Sequence, residues 1–347
     1  MENAASPFSR FALRLTAALV FFILVSVPSS PRAAGPGTSA ATFLQLGFGA
    51  RPLALGEAFV AVADDASAMH YNPAGLALPA RAAMLGEPRR YEMMVSHAMH
   101  IQDIRLSQMG LMARPWGVSL THLQLGGIER RTTETARPDG HFGASDLMLG
   151  FSYGKTLGLW GTGLTVKTVR QSIGEYTASA WAADFGVLRR FKAYPVSFGA
   201  SIVNLGQKVT FIEEGFSLPT ALRVGATYGM SKNFPHALSL QLEKPRDGAL
   251  NLRLGLEYLG FGPFALRAGY RTVSSQQRSA ALGQALGSQA PGLSEFYGMF
   301  LGTGFRSKFG NMDYTLLPYG ELGTAHRLSF SVKFGNLGSN HALGVFK

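Results

Sequence analysis

The sequence contains one motif that is typical of a catalytic serine nucleophile. Residues 150–154 read Gly-Phe-Ser-Tyr-Gly and match G-x-S-x-G, and Asp313 and His326 follow in the order of an α/β-hydrolase triad. That motif requires a strand, a strained elbow and then a helix. The residues after Gly154 instead predict a short turn and another strand, and Ser152 lies on the small-residue face of an alternating segment. We therefore expect no enzyme activity and keep a hydrolase only as an alternative.

Metal and cofactor chemistry has little support in the residue types. The chain has no cysteine, and its eight histidines are dispersed. His97 and His100 are three residues apart, which on a strand places them on opposite faces. Asp64 and Asp65 could bind a cation, but one carboxylate capping a short helix is the favoured interpretation. We expect no metal ion and no cofactor.

The composition narrows the class of protein. The chain has 347 residues, of which 46% are hydrophobic, 15% are charged and 42 are glycines. About 25% charged residues is typical of soluble domains, and a helical membrane protein needs several apolar runs of about 18 residues or more. Only the N-terminus carries a comparable run. A charge-poor, glycine-rich and aromatic-rich chain without internal spanning helices indicates a membrane β-barrel.

The N-terminus has the pattern of a secretory signal peptide. Arg10 and Arg14 precede an apolar stretch at 15–27, followed by prolines and small residues. We predict a signal peptide over 1–34, with a permanent N-terminal anchor as the alternative. Its removal takes away three arginines and one glutamate, so the formal net charge falls from +11 to +9. The remaining basic residues are scattered, so we expect no nucleic-acid partner.

From about residue 93 onward the sequence alternates with period two, as strands with two different faces do. Residues 250–258, for example, set four leucines and a tyrosine against Asn251, Arg253, Gly255 and Glu257. Fourteen such segments follow one another, with short turns after the even-numbered ones and long connections near 126–143, 205–217 and 272–293. Short turns on one side and long loops on the other are typical of transmembrane barrels.

The predicted fold class is therefore an all-β membrane protein, a closed antiparallel transmembrane β-barrel of about fourteen strands over residues 91–334, with a tail at 335–347. A charge facing lipid is costly, so the polar face of each strand should line the lumen. The simplest interpretation is that these lumen-facing side chains are solvated and pair with one another. They are Lys167, Arg223, Arg253, Glu257, Arg267, Arg271 and Arg327.

Residues 38–79 do not alternate. Asn72 begins a tight turn in which Pro73 restricts φ and Gly75 permits a positive φ. A barrel of fourteen strands is wide enough to need filling, and we expect residues 35–90 to fold into the lumen as a hatch. The residues predicted to form it are Asn72, Pro73, Ala74, Gly75, Asp64 and Asp65.

The same segment carries a family resemblance. The runs at 43–51, 56–68 and 71–76 resemble the opening of the PorV/PorQ family, which belongs to the wider FadL-like group of fourteen-stranded outer-membrane barrels with an N-terminal hatch. The resemblance continues through 144–147, 244–248, 267–271 and 318–323, and so covers essentially the whole chain after residue 34. The Asn-Pro-Ala element alone does not separate the subfamilies.

The resemblance implies a Gram-negative outer-membrane location, with outer-membrane lipids as surroundings. It implies that the barrel handles secreted proteins for a type IX secretion-like system, with cargo proteins and translocon components as partners. The alternative is a FadL-like, hatch-gated channel for long-chain fatty acids or other hydrophobic small molecules. The terminal aromatic typical of such barrels is either Phe334 or Phe346.

Overall fold

The computed structural model of the chain describes residues 38–78, 89–99, 104–131, 138–191, 194–231, 234–272, 298–307, 309–318 and 324–336. The predicted signal peptide lies outside these residues, as do residues 35–37 and 79–88 of the predicted hatch, residues 273–293 of the predicted loop 272–293 and residues 337–347 of the predicted tail. Phe346, one of the two possible terminal aromatics, also lies outside them.

The described residues form a closed antiparallel barrel of fourteen strands, which confirms the predicted fold class. Two further strands, β8 and β9, pair only with each other. The strands are β1 (Arg89–Met99), β2 (Arg105–Ala113), β3 (Trp116–Arg130), β4 (Gly140–Leu157), β5 (Trp160–Ile173), β6 (Tyr176–Arg190), β7 (Val196–Gly206), β8 (Val209–Phe211), β9 (Glu214–Phe216), β10 (Ala221–Ser231), β11 (Phe234–Pro245), β12 (Asn251–Phe261), β13 (Phe264–Arg271), β14 (Met299–Arg306), β15 (Gly310–Pro318) and β16 (Thr324–Asn336).

The first and last strands close the barrel. Strand β1 pairs with β16 from Arg89 opposite Asn336 to Met99 opposite His326. Each remaining barrel strand pairs with its neighbours in chain order, and β7 pairs directly with β10 across the β8–β9 hairpin. A closed sheet leaves no backbone amide or carbonyl unpaired at a strand edge, as a β-sheet that spans the hydrocarbon layer requires.

Alternation determines which side chains face lipid. On β12, Leu254 and Leu256 are exposed on the outer wall, whereas Arg253 and Glu257 are only 5% and 1% exposed in the lumen. The same pattern repeats on β11, where Leu238 and Leu240 point outward while Gln241 is buried. The apolar half of the period-two pattern therefore forms a continuous outer band.

The two ends of the barrel differ, as the turn lengths predict. One rim carries short connections such as 114–115, 158–159 and 262–263, and both barrel termini lie there. At the other rim the predicted loop 205–217 contains the β8–β9 hairpin. The predicted loop 126–143 is wrong in part, because β3 and β4 stay paired past a bulge at 126–127, where Gly127 adopts φ 71°.

The remaining elements are short. They are a 3₁₀ turn at Thr42–Gln45, α1 (Ala50–Ala54), α2 (Ala68–Tyr71) and a 3₁₀ turn at Pro73–Leu76. Within the described ranges, no helix is long and apolar enough to cross a membrane.

The outer band generates a depth-dependent prediction. Leu256→Arg places a charge at mid-height on β12, and we expect it to lower the free energy of unfolding from lipid vesicles by about 2–4 kcal/mol. Leu250→Arg, on the same face next to the strand end, should cost about 0–1 kcal/mol. Denaturant titration of refolded barrels measures both. Equal costs would contradict the proposed position of the band.

Candidate functional site: the filled lumen of the barrel

Residues 38–78, here called the lumenal segment, lie inside the barrel. Almost every residue from 50 to 76 is buried, including Phe59 and Tyr71 at 0% exposure. The helix α1 contacts β13 to β16, and the 3₁₀ turn at Pro73–Leu76 contacts β4 to β6. The segment thus touches opposite sides of the wall and fills the lumen between them.

The wall offers glycines where the backbone of the lumenal segment approaches it. A Cβ at Gly163 would lie 2.2 Å from the carbonyl carbon of Pro73, and one at Gly199 would lie 2.2 Å from the oxygen of Val60. A Cβ at Gly269 would lie 2.0 Å from the backbone nitrogen of Gly56. These inward glycines on β5, β7 and β13 let the segment rest directly against the strands.

Polar side chains of the wall bind the backbone of the segment. The Gln241 Oε1 atom accepts hydrogen bonds from the amides of Phe59 and Val60, at 3.1 and 2.9 Å. Arg190 donates to the carbonyls of Leu78 and Val62, at 2.8 and 2.7 Å. Buried backbone groups without a partner are costly, so these bonds make a non-repetitive segment tolerable inside a barrel.

Arg114 serves the same purpose at the short-turn rim. Its Nη1 atom donates to the carbonyls of Leu76 and Leu78, both at 3.1 Å, and its Nη2 atom donates to the carbonyl of Asp64 at 3.0 Å. One guanidinium therefore joins two separate stretches of the lumenal segment. Sequence reasoning missed both Arg114 and Arg190, since neither belongs to a motif.

The Asn72-Pro73-Ala74-Gly75 turn is held by the asparagine side chain. Asn72 is fully buried; its Nδ2 donates to the carbonyls of Val60 and Val187, at 2.8 and 2.9 Å, and its Oδ1 accepts from the amide of Ala74 at 3.2 Å. Gly75 does not adopt a positive φ, contrary to expectation. It is required for space, because a Cβ there would lie 2.1 Å from the oxygen of Ala63.

The favoured interpretation, one carboxylate capping a short helix, holds in part. The Asp65 Oδ1 atom accepts a hydrogen bond from the Ser67 amide at 2.9 Å, just before α2, although Ser67 itself provides no side-chain cap. Both carboxylates also bind the Arg51 guanidinium, at 2.6 and 2.8 Å. Burial alone would raise the pKa of Asp65, but the Arg51 charge and the hydrogen bonds from Ser67 lower it. The contacts of both carboxylates with Arg51 fold the lumenal segment onto itself.

Ion pairs also join the lumenal segment to the wall. Arg51 reaches Glu257 on β12 at 2.9 Å, and Glu57 pairs with Arg253 on β12 and with Arg271 on β13, the latter at 3.4 Å. Loss of one partner from a buried ion pair of this kind strongly destabilises the folded protein, because the other charge is left uncompensated. The sequence analysis singled out the wall residues but not Arg51 and Glu57, although both lie in the runs that carry the family resemblance.

The seven predicted lumen-facing residues all lie on inward positions of their strands. Arg267 pairs with Glu257 and Asp313, both at 2.7 Å, and Arg223 pairs with Glu243 at 2.6 Å. The structure divides the seven into two ion-pair networks and two separate contacts. Arg223, Arg253 and Arg271 share one network with Glu243 and Glu57. Glu257 and Arg267 share the other with Arg51 and Asp313. Lys167 pairs with Asp184 at 2.8 Å, and Arg327 donates to the Gln108 Oε1 atom at 2.9 Å.

The lumen toward the long-loop rim has a different character. Phe43 and Leu44 of the lumenal segment pack against inward apolar side chains of β4 to β6. The β8–β9 hairpin contributes Val209 and Phe211 to this cluster. Together these residues form the apolar lumen cluster: Ala41, Phe43, Leu44, Met148, Val169, Ala178, Ala180, Ala182, Val209 and Leu218, with Phe211 partly buried against them. Sequence reasoning missed it because strand alternation alone predicts only a polar lumen.

The hydrolase-like residues do not meet. Ser152 points into the lumen and shares a 2.7 Å hydrogen bond with the Thr165 hydroxyl, whereas His326 is exposed on the outer wall beside Tyr314. Asp313 is inside, bound to Arg267. Within the described ranges, no three His, Asp or Glu side chains are grouped to hold a metal ion.

Sequence comparison with protein-family models gives no match, and comparison with curated proteins gives none either. Several solved structures share the fold. The Ralstonia pickettii toluene transporter TbuX aligns with a TM-score of 0.54 at 12% identity, over 83% of this chain and 98% of that chain. The CymD monoaromatic hydrocarbon channel aligns with a TM-score of 0.55 at 10% identity, over 84% and 98% of the two chains.

The P. putida toluene transporter TodX aligns with a TM-score of 0.52 at 12% identity, over 84% of this chain and 99% of that chain. At such identities the likeness concerns the fold. It shows the shared barrel fold, whereas membership of the FadL-like group and of the PorV/PorQ family stays a prediction. The closed barrel with its apolar outer band is an outer-membrane protein, as the sequence analysis expects.

The buried network yields a prediction on the lumenal segment. Glu257→Gln leaves Arg51 and Arg267 without their shared carboxylate, and losing one partner of a buried pair typically costs about 3–5 kcal/mol. We expect amide hydrogen exchange of residues 50–65 to accelerate. Glu129→Gln is the control, because Glu129 forms an exposed pair with Arg131. Unchanged exchange in Glu257→Gln would show that this pair does not hold the segment.

Proposed function

We propose that the barrel passes apolar small molecules, such as monoaromatic hydrocarbons or fatty acyl chains, across the outer membrane. The observation that carries this proposal is the apolar lumen cluster, a buried group of apolar side chains inside the barrel toward the long-loop rim. Transfer of an apolar compound from water to such a cluster would lower its free energy. The fold shared with a toluene transporter and a monoaromatic hydrocarbon channel supports the same substrate class.

In this proposal Phe43 and Leu44 occupy the position that a substrate would take. Both side chains are nearly fully buried against Met148 and Val169. A substrate that displaced them would replace one apolar contact by another, so the exchange would cost little. The described lumenal segment continues from there through its charged contacts to the short-turn rim, and a passing molecule would have to move it.

We infer that the Asn72 turn acts as the latch of this hatch. Its side chain bonds the lumenal segment to itself at Val60 and to β6 at Val187, so one residue joins the moving and fixed parts. Loss of these two hydrogen bonds would loosen the turn from β6 at Val187 without removing any charge from the lumen, although Arg190 of β6 would still bind Leu78 and Val62.

Asn72→Asp tests the latch. The substitution keeps the shape but sets a carboxylate oxygen against two carbonyl oxygens, so we expect the segment to loosen and ion conductance through single barrels in planar bilayers to rise several-fold. Asn311→Asp on β15 is the control. Heat-modifiable migration on gels checks that each barrel has folded. Equal conductance in both variants would mean that this turn is not a gate.

Ala180→Asn tests the substrate path. A polar amide inside the apolar lumen cluster should weaken binding of an apolar compound by about tenfold or more, since an unpaired buried amide costs about 1–3 kcal/mol. Ala98→Asn is the matched control, an inward buried alanine on β1 outside the cluster. Toluene and oleate binding to the purified barrels, and their uptake by intact cells, are the measurements. Equal loss in both variants, or no loss in Ala180→Asn, would argue against the path.

The role in secretion that the PorV/PorQ resemblance implies gains no support from these contacts or from the shared fold. It stays a prediction with its own test. Deletion of the gene should then leave surface-attached exported proteins missing or retained in the periplasm.

A further inference from the structure

The outer wall is not apolar over its whole height. On β3 to β5, toward the long-loop rim, the outward positions carry His122, Ser145, Arg170 and Ser172 among leucines. The wall opposite, on β11 to β13, carries Leu252, Leu254 and Tyr270, with the exposed Lys244 at the end of β11. The patch on β3 to β5 therefore places a cation and neutral hydrogen-bonding groups together on a mostly apolar wall.

This patch surrounds a groove of about 480 Å³ on the outside of the barrel. Leu120 and Leu147 form its apolar surface, and the four polar residues named above form the rest. The His122 Nε2 atom and the Ser145 hydroxyl lie 3.1 Å apart, in hydrogen-bond contact. The Arg170 side chain is exposed, and within the described part of the chain it forms no ion pair.

The depth of Arg170 follows from strand geometry. It lies ten residues from Trp160 on β5, which is about 33 Å along the strand and about 25 Å along the membrane normal at the usual tilt. The apolar band of such barrels is also about 25 Å tall, with aromatic residues at its edges. If Trp160 marks one edge, near the short turns, the Arg170 guanidinium lies at the other edge, among the headgroups of the outer leaflet.

We propose that this groove binds a phosphorylated lipid of the outer leaflet, with a phosphate on Arg170 and His122 and an acyl chain along Leu120 and Leu147. Charge complementarity supports this occupant, because an arginine without a carboxylate partner faces a layer whose anionic groups are phosphates. A guanidinium binds phosphate through paired, charge-assisted hydrogen bonds. The serine hydroxyls of Ser145 and Ser172 add neutral donors around the same anion.

The test uses the purified, folded full-length barrel in zwitterionic detergent, with bound lipid counted by native mass spectrometry. Diphosphoryl lipid A is the probe, and phosphatidylcholine and inorganic phosphate are the comparison ligands. We expect Arg170→Gln to weaken lipid A binding about tenfold, as loss of a charge-assisted contact would. Lys155→Gln is the matched control, since Lys155 is exposed on the outward face of β4 at the opposite edge.

Three results would overturn the proposal. Lipid A could bind Arg170→Gln as well as it binds the unaltered barrel. Lys155→Gln could lose as much binding as Arg170→Gln, which would indicate general charge attraction. Inorganic phosphate at equal concentration could displace lipid A fully, which would indicate a simple anion site. Weaker lipid A binding in Arg170→Gln alone, with phosphatidylcholine binding unchanged in every variant, supports it.

Discussion

The lack of water in the hydrocarbon layer is the constraint on which the rest of this structure depends. A backbone amide or carbonyl left unpaired there costs several kcal/mol, so the strands must close on themselves. Pairing of β1 with β16 completes that closure. The same solvent restricts outward side chains to apolar types over most of the wall, and the period of two then sends every other residue into the lumen.

Closure creates a second constraint, because the inward charges are buried. Wall arginines such as Arg253 and Arg267 and the carboxylate of Glu257 are nearly inaccessible. Buried charges are tolerated when they are paired and hydrogen-bonded. The lumenal segment supplies Arg51 and Glu57 to complete those pairs. The wall and the segment are thus electrostatically complementary, and a seating of the segment that separated these pairs would leave buried charges without partners.

The barrel consequently has three chemically distinct regions. A charged middle holds the lumenal segment, an apolar cluster lies toward the long-loop rim, and the outer wall carries a polar, cationic patch on β3 to β5. In the proposed function, the apolar cluster serves the passage of a hydrophobic compound, and the charged middle is a barrier that opens when the segment moves. These regions use the same strands, since each strand contributes one face to the lumen and the other to lipid.

The sequence by itself determined the number of barrel strands, their approximate bounds and which side chains face lipid, because alternation is a local property imposed by the membrane. It also indicated that the chain before β1 is not a strand. It did not predict the β8–β9 hairpin. Only the tertiary structure decided the partners. Arg51 and Glu257, for example, are 206 residues apart in the chain. The pairing of Asp64 and Asp65 with Arg51, and the close packing at Gly75, depend on how the lumenal segment folds inside the barrel. Such contacts follow from closure of the barrel around the segment, which no local pattern encodes.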